Sequence, residues 1–144
     1  MAYDPNNIFA KILRGEVPSH RVYEDDATIA ILDVMPQSDG HTLVIPKAPA
    51  ENLFELDTAS LEAVIRTGQR MALAVRRAFH PDGVTLMQFN GAEAGQTVFH
   101  FHLHVVPRYA GKPLRTHGRG FADPAILAEQ ATRLKAAIGS LGPG

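Results

Sequence analysis

The stretch His100-Phe101-His102-Leu103-His104-Val105-Val106-Pro107-Arg108 constrains this chain more than any other. Three histidines stand at alternate positions, with strand-favouring Phe, Leu and Val between and after them. Alternate side chains of a strand share a face. The spacing therefore predicts three imidazoles on one face, with about 6.5 Å between successive Cα atoms. Phe101, Leu103 and Val105 then face a core. A helix would scatter the same rings around its circumference. Each imidazole carries two nitrogens that need partners, so a crowded row of three is a poor structural choice and a good chemical one. Metal ligation, nucleophilic catalysis and acid–base catalysis all suit it, and the motif alone does not choose between them.

A length of 144 residues fits one domain, 1–144, able to bury a core without staples. The chain has no cysteine, which excludes disulfides and thiolate metal sites and fits a reducing, cytoplasmic setting. A net charge of −1 gives no broad basic field, so no nucleic-acid or membrane-surface partner is expected. Met1-Ala2-Tyr3-Asp4-Pro5 has neither the charged nor the apolar region of a signal peptide. No apolar run approaches membrane-spanning length.

Asn6 or Asn7 can cap a short helix bearing Ile8, Phe9, Ile12 and Leu13, stopped by Gly15. Arg21–Glu24, Thr28–Leu32 and His41–Lys47 read as strands, separated by the Asp25-Asp26 turn and the 36–40 loop. The longest helix starts at Thr58 or Ser60 and runs to about Phe79. Leu61, Val64, Ile65, Met71, Leu73 and Val75 form its apolar stripe, and Arg66, Arg70, Arg76 and Arg77 its solvated face. His80-Pro81-Asp82-Gly83 stops it. A fourth strand spans Val84–Asn90, and the histidine strand spans Thr97–Arg108. Asp123 and Pro124 open a last helix, from residue 123 to about 138, as cap and first residue. Short turns between strands and one inserted long helix imply an α+β fold with a mostly antiparallel sheet of about five strands.

Candidate site residues gather at strand ends and loops, where sites are commonly built. His41 opens the third strand, Asn90 closes the fourth, and Gly95-Gln96-Thr97 leads into His100. Asp33 ends the second strand, either as a turn residue or as an acceptor for sugar hydroxyls. His20, His80 and His117 fall in turn-like surroundings and read as surface residues.

Together, the pattern His100-x-His102-x-His104-x-x and the segments Ile8–Ile12, Val22–Asp26, Leu32–Val34, His41–Lys47, Asn90 and Gly95–Val98 resemble the histidine triad (HIT) family, in the same order, over about residues 6–110. The likeness is greatest to its Hint-like branch of nucleotide-binding phosphoramidases. It implies a HIT-like fold, no cofactor, a purine nucleotide (AMP-like) ligand and a homodimer built on the long helix and an edge strand. It implies His102 as the nucleophile that forms a nucleotidyl-histidine intermediate, and His104 as donor to the α-phosphate. His100 and His41 would pair in a supporting network. Asn90, Gly95, Gln96 and Thr97 would border the phosphate and leaving group. Asp33 and Val34 would meet the ribose, and Phe9, Ile12 and Ile31 would line the base.

Three departures bear on these implications. Thr97 stands where the branch has a serine. Asn7 and Ala10 stand where zinc-bearing bacterial members have cysteines, and Lys47-Ala48-Pro49-Ala50 lacks a matching histidine, so no structural zinc is expected. The chain has no tryptophan and ends in a helix instead of a tryptophan-bearing segment. Val106-Pro107-Arg108 looks like the sequence that follows the triad in dinucleotide-cleaving members. Dinucleoside polyphosphate hydrolysis, nucleotidyl transfer and nucleotide binding with little catalysis are therefore the alternatives.

Overall fold

The computed structural model describes residues 3–116 and 120–143, and His117 lies outside them. Strands β1 (Arg21–Glu24), β2 (Thr28–Leu32), β3 (Thr42–Pro46), β4 (Gly83–Met87) and β5 (Leu103–Arg108) form one sheet in the order β1-β2-β3-β5-β4. Every neighbouring pair is antiparallel. Helices α1 (Ile8–Leu13), α2 (Thr58–Phe79) and α3 (Pro124–Leu141) complete the α+β architecture expected from the sequence.

Alternation along the strands sorts the core into two layers. Ile29 and Ile31 of β2 pair with Ile45 and Leu43 of β3 and pack with Phe9 and Ile12 of α1. Ala30, Leu32, Val44, Leu103 and Val105 point the other way, against Val64, Met71 and Val75 of α2 and Leu134 and Ile138 of α3. Phe101, Leu103 and Val105 thus face a core, as the alternation requires. Each fully buried large aliphatic contributes roughly 1.5–3 kcal/mol. The contact behind the histidines is tight: a Cβ on Gly68 of α2 would lie 2.8 Å from Leu103 Cδ2.

Local chemistry sets the boundaries. Asn7 caps α1 by accepting from Ala10 N, and Asp123 caps α3 with Pro124 in its first turn. The cap of α2 is Asp57, whose carboxylate accepts from Ser60 N, and the helix starts at Thr58, the first of the two expected starts. Helix α3 runs to Leu141 instead of about 138.

Three strands are shorter than expected, β3 by one residue at each end. β4 ends at Met87, paired with His104, because Gln88 and Asn90 leave the ladder and join their side-chain amides to each other. β5 begins at Leu103, so His100, in a bend over 98–100, and His102 sit ahead of the ladder.

The α2 stripe also needs correction. Ile65 and Leu73 are 53% and 38% exposed, whereas Arg70 is half-buried, with its guanidinium 5.7 Å from the Tyr23 ring centroid and a hydrogen bond to the Gly142 carbonyl.

Candidate active site

His102, His104 and His41 converge beside a cavity of about 170 Å³ lined by Gln37, Met87, Phe89, Gly95, Thr97, His102 and His104. That is several times the roughly 30 Å³ share of one water. A larger groove, about 750 Å³, lies between the β1–β2 turn, α2 and the end of α3, and no histidine lines it.

The partners of the four rings assign their tautomers. His102 Nδ1 lies 2.7 Å from the His100 carbonyl oxygen, which can only accept. Nδ1 therefore carries the proton and Nε2 the lone pair. Gln37 N–H donates to His41 Nδ1 at 3.0 Å. That fixes the neutral His41 proton on Nε2, which donates to His104 Nδ1 at 2.9 Å. His104 then holds its own proton on Nε2, as a donor. His100 Nε2 donates to the Pro46 carbonyl at 2.8 Å, so Nδ1 accepts from the Tyr3 hydroxyl at 2.5 Å. Burial pushes the His100 ring below the ordinary histidine value and keeps it neutral, with the Pro46 carbonyl opposing weakly.

This arrangement corrects one expectation. His41 pairs with His104, and His100 is engaged by Tyr3 and Pro46. The sheet register explains it: Thr42 opposes Val105. Continuing the ladder sets His41 opposite Val106, with His104 as its diagonal neighbour on the same face.

The other expected residues separate. Gly95, in a left-handed conformation at φ 103°, and Thr97, exposed, border the cavity. Asn90 Oδ1 accepts from Leu53 N and from Gln88, and its amide donates back to Gln88, so it braces the 51–55 loop. Gln96 is buried and bonds the Glu51 and Val98 carbonyls and Gly91 N, which shapes the loop entering the histidine segment. Asp33 is 6% exposed: one oxygen accepts from Met35 N, and the other lies 3.5 Å from His41 Nε2. Val34 is 38% exposed. Phe9 meets His102 edge-on at 4.8 Å between centroids, whereas Ile12 and Ile31 are packed in the apolar layer beneath.

Residues 14–111 match the HIT domain. The chain belongs to the HIT family. A Hit-like protein of Bartonella henselae, crystallised with an unknown ligand, is 51% identical with a TM-score of 0.88, over 94% of this chain and 99% of that one. A hypothetical histidine triad nucleotide-binding protein of Sulfolobus tokodaii is 32% identical with a TM-score of 0.85, over 92% of each. Adenylylsulfatase HINT3 of Arabidopsis thaliana is 39% identical over 116 residues, covering 76% of this chain and 59% of that protein.

Within this HIT site, Asp33, His41 and His104 are the group among the described residues whose donor atoms, all within 4.8 Å, could hold a metal. The assigned tautomers suit a proton relay better. The Gln37 amide occupies the His41 Nδ1 lone pair, so the Nε2 that would face a cation carries a hydrogen.

Sequence reasoning missed Tyr3, the Gln37 amide, Met87 and Phe89. Phe89, 5.5 Å from His104 between ring centroids, sits next to Asn90 and could have been found by asking what walls the strand end. Gln37 contributes through its backbone, which no residue type announces.

Proposed function

We propose that this HIT protein binds a purine nucleoside monophosphate unit and hydrolyses nucleoside 5′-phosphoramidates through a nucleotidyl-His102 intermediate. The observation that carries the reading is the 2.7 Å contact between His102 Nδ1 and the His100 carbonyl, in a ring that also walls the cavity. With the proton held on Nδ1, the Nε2 lone pair attacks the α-phosphorus. The bond from phosphorus to the leaving nitrogen breaks, and that nitrogen keeps the pair and takes a proton from the hydroxyl of Thr97, a residue that lines the cavity. His102 is then a cation, which the same carbonyl stabilises. Water attacks the phosphorus, the pair returns to Nε2, one proton of the water restores the Thr97 hydroxyl, and AMP leaves. His104 Nε2–H serves the charge growing on the phosphoryl oxygens.

Asn90 and Gln96 shape the wall around the phosphate and leaving group. Asp33 and Val34 take the ribose side, and Phe9, with Ile12 and Ile31 beneath it, takes the base side. Two further features belong to this reading: a homodimer covering the exposed Ile65, Leu73 and Leu86 along α2 and the β4 edge, and cytoplasmic residence of a cysteine-free chain. No helix among the described residues is long and apolar enough to cross a membrane.

The activity for which the Arabidopsis relative is named favours one alternative, in which sulfate replaces the amine as leaving group. Hydrolysis of adenosine 5′-phosphoramidate, adenylyl sulfate and a diadenosine polyphosphate by EDTA-treated protein, with His102→Ala alongside, tests the proposal. The phosphoramidate should turn over fastest, and the variant should lose several kcal/mol of barrier lowering. Equal rates for both proteins would refute His102 as nucleophile. A faster rate on either other substrate would reassign the leaving group.

A further inference from the structure

We propose that Tyr3 is a positioning residue for the nucleophile: its hydroxyl clamps His100, and the clamped His100 presents its carbonyl to His102. The proposal rests on the reading of His102 as nucleophile.

The His100 carbonyl must itself be held if it is to hold His102. This carbonyl fixes the His102 tautomer, yet it lies outside the β5 ladder, which starts at Leu103. Residues 98–100 form a bend, and the peptide that carries this carbonyl is tied at its N–H, from Phe101 N to the Ala50 carbonyl at 2.8 Å. Ladder bonds that would orient a strand carbonyl therefore do not set this one. The His100 side chain adds a second restraint, at the Cα end of that peptide. Its ring is 1% exposed and is held at both nitrogens, by the Pro46 carbonyl at 2.8 Å and by Tyr3 at 2.5 Å. The Tyr3 ring also packs edge-on against it, 5.6 Å between centroids.

The direction of each bond follows from chemistry. A carbonyl only accepts, so His100 Nε2 is the donor and Nδ1 the lone pair, and Tyr3 supplies the hydrogen. Pro46 ends β3 and moves with the sheet. Tyr3 comes from 97 residues away in sequence, on the segment leading into α1, whose Phe9 meets the His102 ring. The segment therefore reaches the nucleophile twice, through the packing of Phe9 and through the Tyr3–His100–His102 chain of hydrogen bonds.

Tyr3→Phe removes the hydroxyl and keeps the ring contact. Asn7→Ala loosens the cap of α1 without touching His100 and serves as the comparator for a structural effect. The first readout is ¹⁵N NMR of the ring nitrogens in ligand-free protein. The wild type should show His102 protonated on Nδ1. Tyr3→Phe should move both His102 nitrogens toward the averaged values of mixed tautomers, while Asn7→Ala lowers the melting temperature and leaves them in place. The second readout is turnover of adenosine 5′-phosphoramidate, where misplacing the nucleophile should lower kcat about tenfold with KM within about twofold. Unchanged His102 nitrogens in Tyr3→Phe would overturn the clamp. So would a loss confined to KM, or an equal tautomer change in Asn7→Ala. A wild type inactive on every adenylyl substrate would refute the functional reading, and the NMR comparison would still decide the clamp.

Discussion

His41 offers two isosteric substitutions that cut the relay at different bonds. Asparagine places its amide oxygen near the position of Nδ1, so His41→Asn keeps an acceptor for the Gln37 amide and loses the donor to His104. Glutamine places its amide nitrogen near Nε2, so His41→Gln keeps the donor to His104. His41 is fully buried, and its two bonds measure 3.0 and 2.9 Å. Losing one such bond costs about 0.5–1.5 kcal/mol of stability, or about 1–3 kcal/mol if a buried group is stranded.

The catalytic cost has a different ceiling. If His104 Nε2–H faces the reacting phosphate, losing that donor outright costs about 2.7–4 kcal/mol. His41→Asn loosens the tautomer without removing the ring and should cost about 1.5–3 kcal/mol, a fall of roughly ten- to a hundredfold in kcat/KM. His41→Gln should cost less than about 1 kcal/mol. The decisive assay is a double-mutant cycle with His104→Gln. Because His41 acts through His104, adding His41→Asn to His104→Gln should cost no more than about 0.5 kcal/mol further. Equal, additive losses in both backgrounds would refute the relay, as would a His41→Gln enzyme as damaged as His41→Asn.

Acid should weaken the fold through His100. Its folded ring is held neutral below the ordinary value, so the unfolded chain binds the extra proton as pH falls through about 6.5. Stability is full above that value and is lost toward the depressed folded value, by up to about 1.36 kcal/mol per pH unit for one proton. Urea unfolding across this range should show His100→Gln with a shallower slope than wild type, and parallel slopes would remove His100 as a source. Gly68→Val puts a branched side chain where a Cβ already lies 2.8 Å from Leu103. It should cost about 1–3 kcal/mol and lower the melting temperature by several degrees, whereas an unchanged melting temperature would mean that α2 can retreat from the sheet. Light scattering should give twice the chain mass for wild type and a shift toward monomer for Leu86→Lys at the exposed β4 edge, and a concentration-independent monomer mass for wild type would end the dimer proposal.

Much of the fold was legible because the chemistry is local. Short apolar runs in Thr28–Leu32 and His41–Lys47 mark buried strands, and Asp123-Pro124 marks a helix start. Asp57 caps the start of α2 at Thr58 by the same rule. The four site histidines are visible as residue types, but their pairings are not. His41 meets His104 because of a register between strands far apart in sequence, and no spacing within either segment encodes it. Asn90 and Gln96 look like ligand contacts in sequence, yet in the fold their amides hold loops together. Val84–Asn90 reads as one strand because Phe89 continues the apolar pattern, while the Gln88–Asn90 amide pair ends the ladder early.

The late start of β5 also sets where the chain tolerates changes of length. Within Leu103–Arg108, one inserted residue would exchange the two faces, turning His104 into the helical layer and an aliphatic into the cavity. Between Gly91 and Thr97 no ladder has begun, so an added residue is absorbed by the loop before any side chain must choose a face. Natural or engineered variation in the reach of this loop over the cavity therefore belongs ahead of the first histidine, and the spacing from His100 onward must stay fixed.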